Sequence, residues 1–85
     1  MAEVEYIRKM ETFGAGQLWA QIEADDGETI TVDFRIRGGI LHPNVDNAET
    51  SSWGLTFTAG AKQAVVNLTG STSDVTCSVI LWGDQ

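Results

Sequence analysis

The closing stretch DVTCSVILWGDQ alternates between two faces. Val75, Cys77, Val79 and Leu81 point one way, and Thr76, Ser78, Ile80 and Trp82 point the other. The first set is a core face. The second becomes apolar toward its end, which raises the question of what Ile80 and Trp82 touch. The same period of two runs through ETITVDFRIR, with Ile30, Val32, Phe34 and Ile36 opposed to Thr29, Thr31, Asp33, Arg35 and Arg37, and predicts a strand. In GQLWAQIEA, Leu18, Ala20, Ile22 and Ala24 oppose Gln17, Trp19, Gln21 and Glu23. The intervening DDG supplies turn residues, so these two strands are expected to form a hairpin. AEVEYIRKM alternates less cleanly, with Val4, Tyr6 and Met10 sharing a face with Arg8, and reads as a charged edge strand.

After Arg37 the alternation stops. GGILHPNVDNAETSS holds two glycines, the chain's one proline and a run of Asn, Asp, Ser and Thr, and predicts a long connecting loop at about 38–52. Strands resume with Trp53, Leu55 and Phe57 on one face, then Ala64, Val66 and Leu68, separated by the turns AGAK and GSTSD. About six strands, short turns and one long crossover predict an all-β domain spanning residues 1–85. The expected architecture is an antiparallel β-sandwich or small barrel, in a jelly-roll or immunoglobulin-like arrangement. The cysteine pair of true immunoglobulin domains is absent, so only the architecture is shared.

Composition narrows the function. The formal charge of −7 disfavours nucleic acid and anionic membrane surfaces as partners. No apolar run is long enough for a membrane helix, and MAEVEYIRKM lacks a signal-peptide pattern, so secretion by the general route is not expected. Cys77, the single cysteine, forms no internal disulfide and reads as a buried hydrophobe. His42, the one histidine, has no second histidine or cysteine beside it for zinc or nucleophilic catalysis. Asp25 to Glu28, and Asp46 with Glu49, lack the spacing of a calcium loop. NLT, at Asn67 to Thr69, matches a glycosylation acceptor whose meaning depends on secretion, and the GGI and GAG glycines lack the context of a phosphate loop. The expectation is therefore a protein without catalytic, metal or cofactor sites.

What remains is the outer face. Alternation sends Trp19, Val65, Ile80 and Trp82 to the surface, and Ile7 joins them on the first strand. Tryptophans grouped with aliphatics on a surface mark an interaction site, and a chain this short gains from burial against a neighbour. These five residues are the candidate contacts with other protein chains.

In its general character, exemplified by ITVDFRIRGG and GLTFTAGAKQAVVNLTGSTSDVTCSVILWG, the whole chain resembles the small β-sandwich structural proteins of tailed bacteriophages, with capsid decoration or cement proteins the nearest class. The resemblance implies a virion protein that reinforces an assembled shell, assembles as a symmetric oligomer and contacts the major capsid protein or another virion protein. No family residues are carried over with it. The alternative is a carbohydrate- or receptor-binding module, in which Trp19 or Trp82 stacks on a sugar while Asp46 and Asn47 bond its hydroxyls.

Overall fold

A computed structural model describes residues 2–11, 16–44, 53–71 and 74–84. Seven strands are formed: β1 (Glu5–Glu11), β2 (Gln17–Ala24), β3 (Thr29–Thr31), β4 (Arg35–Pro43), β5 (Gly54–Thr56), β6 (Gln63–Asn67) and β7 (Val75–Asp84). They build two antiparallel sheets, one of order β1-β2-β7-β4 and one of order β3-β6-β5, with no helix among the described residues. The long closing strand β7 lies inside the larger sheet. It pairs with β2 from Gln17↔Trp82 to Ala24↔Val75, and with β4 from Arg35↔Asp84 to Pro43↔Cys77.

Alternation places the core as the sequence predicts. Leu18, Ala20, Ile22 and Ala24 from β2 meet Val75, Cys77, Val79 and Leu81 from β7, and Ile30, Ala64, Val66 and Leu68 close over them from the smaller sheet. Trp53, Leu55 and Phe57 pack against this core from its margin, and the Trp53 indole N–H donates to the Thr69 carbonyl at 2.9 Å. Burial pushes the Cys77 thiol up to about 11, which keeps it a neutral packing group.

Pairing departs from the expectation in two places. β2 and β3 form no hairpin: β2 pairs with β1 and β7, and β3 pairs with β6. The Asp25–Glu28 turn instead carries the chain between sheets. It closes on itself through Glu28 N–H to the Asp25 carbonyl at 3.2 Å, and is pinned to the smaller sheet by Gly27 N–H to Val66 O and Leu68 N–H to the Asp26 carboxylate. Gly27 takes a positive φ of 90°, which few other residues accept.

ETITVDFRIR is likewise two strands. The chain turns a corner at Val32–Phe34, so Ile30 enters the core from the smaller sheet and Ile36 from the larger. Backbone bonds from Val32 to Lys62 and between Ile36 and both Gly60 and Ala61 hold that corner. Because the corner wraps one core, side-chain alternation continues through it, and six expected strands become seven.

Two further corrections concern β4 and β1. Gly38–Pro43, expected as the start of the long loop, continues β4 along β7; that loop from residue 45 to 52, including Asp46, Asn47 and Glu49, lies outside the described residues. Pro43 is tolerated because β4 lies at the end of its sheet, where a missing N–H breaks no ladder. In β1, the register shifts between Tyr6 and Arg8. Tyr6 therefore faces Ile22 and the core while Arg8 and Met10 face Gln21 and Trp19 on the outer side, so these residues do not share one face as the sequence reading had it.

Candidate functional site

The outer face of the larger sheet brings the apolar residues together. Cross-strand pairs join Met10 on β1 to Trp19 on β2, Trp19 to Ile80 on β7, and Ile80 to Ile40 on β4. This is an apolar row running across all four strands. Met10, Ile40, Ile80 and Trp82 are 64%, 58%, 41% and 39% exposed, so the row is open to solvent, with Trp19 half-buried among its neighbours. In the next row Trp82 stands between Gln17 and Gly38. A side chain at Gly38 would begin 2.5 Å from the indole of Trp82, so the ring lies over the glycine and extends the apolar surface toward β4.

Polar residues frame this band. On one side Arg8, Gln21, Ser78 and His42 form the adjoining cross-strand row, beyond which stand Glu5, Glu23 and Thr76. The Asn44 amide donates to the Ser78 hydroxyl at 3.0 Å. At the other end, Arg35 is registered with Asp84, and the Arg37 guanidinium bonds both Asp84 oxygens at 3.2 and 3.3 Å. Between Met10, Gln17, Leu18, Trp19 and Ile80 the face dips into a cleft of about 260 Å³. The face thus carries an apolar band with polar and charged rows at both ends.

Of the five residues singled out from sequence, the structure unites Trp19, Ile80 and Trp82 on this face. Ile7 is the extra residue of the β1 irregularity and is 51% exposed. Val65 stands apart: it belongs to β6 in the other sheet, between Thr29 and Thr56, and is only half-exposed. Sequence reasoning missed Met10 and Ile40. Met10 is turned outward by the register shift, and Ile40 sat in a segment whose two glycines masked its alternation with Leu41 and His42.

His42 is exposed on β4 opposite Ser78. Among the described residues, no group of three or more His, Cys, Asp or Glu side chains is placed to hold a metal ion. No protein family, curated protein or solved structure matches the chain.

Proposed function

We propose that this chain is a non-enzymatic structural protein that binds an assembled protein shell, in the manner of the phage decoration proteins it resembles, with the outer face of its four-stranded sheet as a contact with other protein chains. The observation that carries the reading is the apolar row Met10–Trp19–Ile80–Ile40 with Trp82 beside it. Single exposed apolar residues are ordinary on protein surfaces, but a contiguous patch spanning a whole sheet is the usual mark of a contact. Tryptophan at the centre of such a patch is the residue type that most often carries binding energy. The test is gradient sedimentation of lysate from cells that make the chain. Co-migration with large particles, lost on Ile80→Asp, supports the reading; recovery only as free small protein overturns it.

A carbohydrate-binding role is the second reading, and one feature favours it. The Trp82 ring is laid over Gly38, and Gln17 is the residue paired with Trp82 on β2, so an aromatic platform and a hydrogen-bonding residue share one row. Glycan-array binding by the isolated domain, abolished by Trp82→Ala, would select this reading over the first.

A further inference from the structure

We propose that the outer face of the four-stranded sheet is a self-association surface, occupied by a second copy of this chain packed face to face around a two-fold axis. The inference rests on the reading of that face as a protein contact and names its occupant.

Charge selects the face. Each copy carries −7, so two copies repel least where they meet on a face with no net charge of its own. The outer face is such a place. Glu5 and Glu23 stand at one end with Arg8 close by, and Asp84 stands at the other with Arg35 and Arg37, so acid and base balance across it. Much of the chain's acidity lies elsewhere, at Glu3, Asp25, Asp26, Glu28, Asp33 and Asp74, off this sheet's strands.

The strand order makes the row self-complementary. A two-fold axis running along the strands between β2 and β7 exchanges β2 with β7 and β1 with β4. Trp19 then lies over the partner's Ile80, and Met10 lies over the partner's Ile40. Glu23 meets the partner's Thr76 rather than another carboxylate, and Arg8 meets the partner's His42. The large Trp19 thus opposes a smaller group, and no acid faces its own copy.

The four sheet edges are less suited to pairing, β5 because it is only three residues long. The β1 edge carries a register shift and the charges of Glu5, Arg8 and Lys9, β4 ends in Pro43, and the β3 edge is already bonded to residues 2–4 through Val4 N–H to Thr29 O and Thr29 N–H to Ala2 O. Area sets the strength. Four strands about 4.8 Å apart and about eight residues long give a footprint of roughly 500 Å² on each copy. The total of about 1,000 Å² just reaches the size of a specific interface, which makes this a weak, concentration-dependent dimer.

Sedimentation velocity on the purified chain from about 5 to 500 μM spans the range in which such a dimer forms. The wild type is expected to move from the 9.2 kDa monomer toward twice that mass, with tryptophan emission shifting to the blue. Added salt should leave the dimer intact or strengthen it, because screening weakens the net repulsion. Ile80→Asp and, independently, Ile40→Lys should hold the chain monomeric with an unchanged far-ultraviolet spectrum. A wild type that stays monomeric throughout, or folded variants that still dimerise, overturns the proposal. Its failure is distinct from that of the shell reading. A monomer whose particle binding is lost on Ile80→Asp sinks self-association alone, whereas a dimer broken by Ile80→Asp in a chain that never meets particles sinks the shell reading alone.

Discussion

Trp82 covers Gly38. The two residues are cross-strand partners on β7 and β4, and a methyl group at Gly38 would sit 2.5 Å from the six-membered ring of the indole. The glycine that helped to disguise β4 as a loop is therefore the notch that seats the aromatic ring.

Gly38→Ala should consequently lift the indole off β4. Overpacking of this kind costs about 1–3 kcal/mol, toward the lower end here because the ring has solvent to move into. The expected outcome is a modest fall in denaturation midpoint together with a red shift of tryptophan emission. Unchanged emission would mean that the ring does not rest on Gly38.

Leu81 and Trp82 are neighbours with opposite roles. Leu81 is fully buried against Leu18, whereas Trp82 is 39% exposed. Leu81→Ala should cost about 2–5 kcal/mol of folding stability through the cavity it leaves. Trp82→Ala should cost markedly less in folding and act chiefly on association. Denaturant titration measures the first effect and sedimentation the second; a larger folding loss for Trp82→Ala would reverse the assignment of faces.

Glu3 ties residues 2–4 to the smaller sheet. Its carboxylate accepts from the Thr31 N–H and hydroxyl, each at 2.9 Å, from the Tyr6 hydroxyl at 2.8 Å and from the Thr29 hydroxyl at 3.4 Å. Partial burial pushes its pKa up, but these donors together outweigh it and hold the group below its ordinary 4.5. A lowered folded-state pKa stabilises the native chain above that ordinary value, and the contribution fades as pH falls through the folded pKa. Melting temperature followed from neutral pH into acid should drop more steeply below 4.5 in the wild type than in Glu3→Gln. Parallel curves would remove Glu3 from the acid response.

Cys77 is buried, with its thiol pushed up to about 11 by desolvation. The reactive thiolate is therefore both rare and shielded. Ellman's reagent near pH 8 should leave the native protein unlabelled and react fully in denaturant, with the native labelling rate tracking global opening. Rapid labelling of the folded chain would contradict the buried placement.

Alternation is local, and it carried most of what the sequence determined. The faces of β2, β6 and β7, the core from Leu18 to Leu81, and the outward placing of Trp19, Ile80 and Trp82 all follow from successive side chains pointing to opposite sides of an extended backbone. Pairing is not local, and only the tertiary structure decided it. Ile30 and Ile36 keep one phase although they sit in different sheets, because a chain bending around a core shows the same inward residues as a straight strand. The Asp25–Glu28 turn has hairpin chemistry, yet its bonds to Val66 and Leu68 send the chain across to the second sheet. The candidate site divides in the same way. One register shift in β1 moved Met10 to the outer face, and the pairing of β4 with β7 placed Ile40 beside Ile80. The physical reason is that a strand's two faces are set by its own geometry, whereas its neighbours are set by which partner satisfies its backbone bonds while burying its apolar face, and a shift of one residue exchanges the two faces.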